Sequence, residues 1–182
     1  MRHLLLLLFL VSGSYLIKAQ DFIAGDNGSK VHFTIKNFGI STGGDFKGVK
    51  GSVFFNPAFP SSAKFDVSVS AATVDTDNES RDKDLKEALY FNVAAFPEIR
   101  IVSTRIDKTN KTDDGFYFFT GNLVIKGITK EISFPFKAEK TLNDYLFTGD
   151  FEINRLDFEV GEKSAVLSQK VVVNLKILAK KK

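Results

Sequence analysis

Few residues in this chain have the type and spacing to do chemistry: His32, the carboxylate pairs Asp82 with Asp84 and Asp113 with Asp114, and the glycines Gly43, Gly44, Gly48 and Gly51. A histidine beside an acid and a hydroxyl would point to nucleophilic hydrolysis, and facing carboxylates to acid–base work. Neither pattern assembles. His32 alternates onto the polar side of a strand pattern and reads as an exposed strand residue, so a hydrolase built on it is the weakest of the functions considered. Asp82 and Asp84 stand two apart on a helical pattern and do not face each other. Asp113 and Asp114 precede Gly115 in a hairpin signal, where aspartate bonds its own backbone. The glycines are not followed by Gly-Lys-Ser/Thr, so they form no phosphate loop; within strands they mark bends or bulges. With no cysteine, and only His3 besides His32, nitrogen- or sulfur-rich metal sites lack a ligand set. The expectation is a protein that is not an enzyme, with no catalytic residue, no metal and no cofactor.

The elements that must position these groups are strands. Val31, Phe33 and Ile35 alternate with Lys30, His32, Thr34 and Lys36, and the same period of two returns in Phe65, Val67 and Val69 and in Val171, Val173, Leu175 and Ile177. Further strands are expected over 45–55, 98–106, 116–126, 131–139 and 144–154, with a break near the glycines of 41–44 and turns at Asn56-Pro57, 112–115 and Lys126-Gly127. About eight antiparallel strands, each with one apolar face, favour a barrel over a sandwich, because closure removes exposed edges. The exception is segment 73–97. Thr76, with Glu79 three residues on, reads as a capping box that opens a short helix, with Leu85, Ala88 and Leu89 on one side and Arg81, Asp82, Lys83, Lys86 and Glu87 around the rest. Arg81 and Asp82 are expected to tie that helix to the barrel mouth through ion pairs.

Residues 1–19 have a basic start, a leucine run from Leu4 to Leu8 continued by Phe9, Leu10 and Val11, and Ala19 before Gln20. That is the pattern of a secretory signal peptide, too short to span a membrane. The expected organisation is a signal peptide over 1–19 and one domain over 20–182, placed in the periplasm or secreted. Cleavage removes Arg2 and Lys18 and no acid from a net charge of +3, leaving about +1, which argues against nucleic acid as a partner. The basic end at Lys180–Lys182 reads as a solvated terminus. Without cysteine, stability has to come from packing and hydrogen bonds. The 19 phenylalanines and absent tryptophan supply rings without polar handles, suited to a dry interior or an apolar ligand.

The blocks SKVHFTIKNFGIS, GDFKGVKGSVFF, VDTDNESRDKDL, YFNVAAFPEIRIVST, GNLVIKGITKEISFPF and FEINRLDFEVG follow one another along the chain. In content and order they resemble the YceI-like family, exported bacterial proteins with a lipocalin-like barrel that bind polyisoprenoid or other long-chain amphiphiles. Asp75, Thr76, Arg81, Asp82 and Leu85 match the family's helix signature. Two positions depart from it: Asp84 stands where histidine is common, and Glu159 follows Phe158 where glycine is usual.

The resemblance implies an all-β, lipocalin-like antiparallel barrel of about eight strands with a short helical insertion, carrying or sequestering an isoprenoid lipid of polyprenyl or quinone type. A homodimer is compatible with it. On that basis the apolar lining is expected to comprise Val31, Phe33, Ile35, Phe65, Val67, Val69, Ile101, Phe134, Phe136, Phe147, Phe151, Val173 and Leu175. Arg81, Asp82, Asp84 and Leu85 are expected at the lid or mouth. The competing expectation is a structural or protein-interaction barrel with a core filled by side chains and no lipid; a cavity separates the two.

Overall fold

The computed structural model describes residues 20–109 and 115–182; the leader and the Asp113-Asp114 pair lie outside the described residues. Ten strands form one antiparallel sheet: β1 (Gln20–Gly25), β2 (Lys30–Asn37), β3 (Ile40–Phe46), β4 (Lys50–Phe55), β5 (Lys64–Ser70), β6 (Glu98–Lys108), β7 (Phe116–Ile125), β8 (Ile128–Thr141), β9 (Asp144–Asn154) and β10 (Leu167–Lys181). One helix, α1 (Glu79–Lys86), lies between β5 and β6.

β10 explains how ten strands make an eight-stranded barrel. One edge of β10 pairs with β9. Its other edge pairs first with β2, as far as Lys176 opposite Lys30, and then with β1, where Ala179 faces Ala24. β1 and β2 are therefore halves of one broken strand. β3 and β4 are halves of another, with β3 on β2 and β4 on β1. β4 then continues through β5, β6, β7, β8 and β9 to β10, and the ring closes with no free edge on that course.

The two breaks are held by side chains. The Asp26 carboxylate, in the first break, accepts the N–H of Gly48 at 2.9 Å and of Val49 at 2.6 Å in the second. The Ser29 hydroxyl donates to the Gly25 carbonyl at 2.6 Å and accepts the Leu178 N–H at 2.9 Å. Lys47 gives its N–H to the Thr73 hydroxyl at 2.8 Å. These side chains thus satisfy backbone N–H groups of Lys47, Gly48, Val49 and Leu178 that lack a ladder partner at the breaks. This corrects two expectations. The stretch 45–55 is not one strand but is interrupted at Lys47–Val49, with Gly48 at φ 75°. The glycines at 43 and 44 do not break the sheet; they sit inside β3, because the His32 ring lies over Gly43 and the Phe33 ring and Thr76 crowd Gly44, leaving no room for a Cβ.

Because β3 diverges from β5 after the break, residues 71–97 fill the gap between them. Asp45 bridges to Asp75 on the β3 side, and the Ala71 N–H bonds the Pro97 carbonyl beside β6. The end of the barrel where β1 begins and β10 ends is packed solid. The Phe55 ring meets Tyr117, Tyr145 and Phe147 edge-on at centroid distances of 5.1, 5.1 and 5.3 Å, and Phe22 meets Tyr145 at 5.2 Å. Each such ring contributes roughly 1.5–3 kcal/mol by burial, and each pair about 0.5–1.5 kcal/mol more. Replacing Asp26 by Ala should lower the unfolding free energy by about 2 kcal/mol, since two N–H groups lose a charged acceptor; urea titration of the variant against the parent measures it.

Candidate functional site

Above the aromatic plug the barrel is hollow. A cavity of about 390 Å³ runs from the middle of the barrel to the end formed by α1, the β2–β3 hairpin and a 3-10 turn at Arg155–Phe158. The register builds its wall. Phe33 faces Val173, Val31 faces Leu175 and Ile35 faces Val171 across β2 and β10, and Val173 in turn faces Phe151 of β9. All thirteen residues expected to form an apolar lining border this cavity. Phe33, Ile35, Val173 and Leu175 are half-buried although they point inward, because they border the cavity.

The cover is built from two pieces. The first is α1, and here the capping expectation is corrected. Asn78, not Thr76, is the N-cap, accepting the Arg81 N–H at 3.0 Å. Thr76 is instead a buried hub. Its N–H and hydroxyl both donate to the Asp82 carboxylate, and Arg81 donates from Nε to the Thr76 hydroxyl at 2.8 Å and from Nη2 to the Thr76 carbonyl at 2.7 Å. Arg81 and Asp82 therefore hold the helix to the preceding loop and, among the described residues, make no ion pair with the barrel wall. That loop is in turn paired to β3 through Asp75 and Asp45.

The expected apolar stripe is also shorter. The helix stops at Lys86, the chain turns back with the Phe91 N–H on the Leu85 carbonyl, and Ala88 and Leu89 are exposed. Leu85, Arg81 and Asp84 border the cavity, whereas Asp82 does not. Asp84 and Asn37 are exposed members of the lining, so the cavity opens between α1 and the β2–β3 hairpin.

The second piece was not legible in the sequence. Tyr90, Phe91, Phe158, Val160 and Arg155 also border the cavity. Phe91 stands edge-on to Phe46 at 5.4 Å. Arg155 is only 4% exposed, and its guanidinium donates to the carbonyls of Ser168, Val160 and Glu162 at 2.9, 2.7 and 2.7 Å. Burial pushes its pKa down, partly offset by the neighbouring Tyr90 phenol. This cation ties the turn across the end of the barrel. The turn is joined to the first piece by the Gly161 N–H on the Leu89 carbonyl at 2.9 Å, and Lys126 Nζ, from the β7–β8 turn, bridges the two by donating to the Glu159 carbonyl at 2.8 Å and the Leu89 carbonyl at 3.5 Å.

His32 is away from this cavity. It is half-buried rather than fully exposed, its Nδ1 lies 2.7 Å from Asp45 Oδ1, and it shares a shallow polar depression with Ser41, Asp75 and Asp77. Burial by itself would raise the Asp45 pKa, but hydrogen bonds and positive charge from His32 and Lys30 outweigh it and hold the carboxyl below its ordinary value. Among the described residues no cluster of His, Asp and Glu is arranged to hold a metal. The chemistry this cavity offers is chiefly burial of apolar surface; Thr76, Arg81, Asp84 and Arg155 are polar members of its cover, and Ser68, Arg100 and Thr148 are polar members of the strand wall.

The family model for the YceI-like domain matches residues 24–179. The chain belongs to the YceI-like family. It is 32% identical over 139 residues to a UPF0312 protein of Enterobacter, covering 72% of this chain and 70% of that protein. It is 36% identical over 108 residues to Protein YceI of Salmonella arizonae, covering 59% of this chain and about half (54%) of the relative. The barrel superposes on Burkholderia cenocepacia BcnA with a TM-score of 0.80 at 22% identity, over 86% of this chain and 99% of that one. A polyisoprenoid binding domain from Saccharophagus degradans gives 0.72 at 12% identity, over 91% and 100%. These structures share the antiparallel barrel fold.

Glu159, where the resemblance leads us to expect glycine, has a physical reading. Its φ is 54°, the left-handed conformation that costs an L residue about 1–2 kcal/mol, so glycine is the residue this position suits. Glu159→Gly should raise stability by about 0.5–1 kcal/mol, measured by thermal or urea unfolding. Acid should act in the opposite direction. Asp66 is held below its ordinary pKa chiefly by the Arg100 guanidinium, and Glu98 chiefly by Lys50, as Asp45 is by its own partners. A depressed folded pKa gives stability that is whole above the unfolded value and is lost as pH falls through the folded one. Unfolding midpoints should hold at pH 5 and drop as the pH passes below about 4, with added salt shrinking the drop.

Proposed function

We propose that this protein is a non-enzymatic carrier or sequestering protein for a long-chain isoprenoid lipid, of polyprenyl or quinone type. The observation that carries this reading is the apolar cavity of about 390 Å³ inside the barrel. A prenyl tail offers only carbon surface, and burying it against Val, Ile and Phe gains roughly 25 cal/mol per Å². No reacting group or cofactor is needed in the wall. Membership of the YceI-like family and the likeness to a domain that binds polyisoprenoid support the same ligand class. Residues 1–19 are read as the signal that exports the chain to the periplasm or beyond, where a hydrophobic lipid crossing water needs a container.

The reading of the barrel as an interaction module with a solid core fits only one end of it. The Phe55 plug is filled; the half bordered by Phe33, Val173 and Phe151 is not. Asp84, in place of the family's common histidine, puts a carboxylate at the opening, so the preferred head group here is expected to be neutral or cationic rather than phosphate.

Native mass spectrometry of protein purified from its own host, with organic extraction of what it carries, tests the proposal. An isoprenoid should be found. Val173→Trp, which projects an indole into the cavity, should reduce bound lipid at least about tenfold while the fold survives. Protein that is always empty, and that takes up no polyprenol or quinone when offered them, would remove the carrier function.

A further inference from the structure

The β2–β3 hairpin ends in a two-residue turn, Phe38-Gly39, with both residues at positive φ, 49° and 77°. Such turns favour Asn or Asp followed by Gly, because a bulky side chain in the left-handed region is strained. Here the strained residue is a phenylalanine, and it is 74% exposed. One position thus carries both a backbone cost and an exposed ring, the combination that points from strain toward function. It is not isolated. Ile40, 71% exposed, closes the same turn, and Val166, 40% exposed, lies beside it, its carbonyl accepting the Phe38 N–H at 2.9 Å. Leu142, 98% exposed and also at positive φ (25°), sits at a hairpin tip on the opposite end of the barrel, away from the cavity opening.

The patch adjoins the opening of the cavity. Asn37 and Leu167, its immediate neighbours in the chain, are paired with each other and belong to the lining, as does Thr42 two residues beyond Ile40. Lys36, next to the turn, and Lys163, three residues before Val166, are both exposed and, among the described residues, without an ion-pair partner; the acids on the same side are Glu162 and, at the opening itself, Asp84. Apolar side chains that include an aromatic ring, beside unpaired lysines, match the interface of an anionic bilayer, where rings sit at head-group level and lysines meet lipid charge.

We propose that the Phe38–Ile40–Val166 tip docks this protein on an anionic lipid bilayer, seating the cavity opening at the membrane surface so that a lipid tail moves between bilayer and barrel without crossing water. The inference rests on the lipid reading of the cavity for its purpose, while docking itself is read separately. Protein expressed from the full-length chain is to be floated with vesicles of phosphatidylcholine and phosphatidylglycerol, and with phosphatidylcholine alone. Binding should favour the anionic vesicles and weaken with salt. The double variant Phe38→Asn with Ile40→Thr should bind about tenfold less, with unchanged or higher stability, since Asn suits the turn, and with its co-purified lipid retained. Equal vesicle binding by parent and double variant, or none by the parent, would overturn the proposal. So would a parent that is dimeric where the double variant is monomeric, since a second copy would then be what covers the tip. Loss of co-purified lipid from both proteins with vesicle binding intact would count against the carrier function and leave the docking surface standing.

Discussion

The fold turns on one carboxylate that bends two strands at once. Asp26 accepts the N–H groups of Gly48 and Val49 across the gap between neighbouring breaks, so β1–β2 and β3–β4 bend together and keep their mutual pairing on both sides of the bend. Backbone N–H groups leaving a ladder need acceptors, and a charged acceptor is about twice as strong as a neutral one. If the two strands ran straight, β3 would stay on β5 and the barrel would narrow to its end. The bend instead opens a gap into which residues 71–97 fit, bonded to β3 at Asp75 and to the start of β6 at Pro97. The cavity, its opening and the cover all follow from that displacement.

The phenylalanines are divided between two physical tasks. Around Phe55 they fill space, edge-on to one another, and supply the stability that a chain without disulfides must obtain from packing. Around Phe33, Phe134 and Phe151 they form a wall that faces empty volume. A dry void of this size would cost on the order of 9 kcal/mol at about 24 cal/mol per Å³, more than most single domains can spare. An opening that admits water reduces that cost, and an apolar occupant of the kind proposed would restore the missing contacts. The solid half of the barrel is thus what makes the hollow half tolerable.

The sequence was most legible where the physics is local. A period of two assigns Val31, Phe33 and Ile35 to one face whatever the rest of the chain does, and the register then places them opposite Val171, Val173 and Leu175 inside the barrel. The breaks were illegible because they depend on a contact between residues 26 and 48, and the glycines that looked like a break, Gly43 and Gly44, owe their small size to rings packed on them. β1 was missed for the same reason; its short run of six residues gains meaning only from β4 and β10. At the helix, Thr76 and Asn78 are both good caps by type, and the choice was made by Asp82, which takes the Thr76 hydroxyl for itself. Arg155 could not be told from a solvated arginine, because its partners are three backbone carbonyls and carbonyls carry no sequence signature.

The two pieces of the cover differ in how firmly they are held, and that difference bears on how a ligand enters. The turn at Arg155–Phe158 is anchored by a buried guanidinium with three carbonyl partners and by Phe158, which is 1% exposed. Moving it would leave a cation in an apolar interior without hydrogen bonds, a cost of several kcal/mol. α1 contains no buried residue; its hold on the barrel is Leu85 and the hydrogen bonds gathered on Thr76. Helix segments with few buried apolar contacts are the first to open locally, and water can take over the Thr76 bonds as the helix lifts. On these energetics the opening bordered by Asp84 and Asn37 is the side on which α1 would yield first, while the Arg155 turn is the part of the cover that costs most to move.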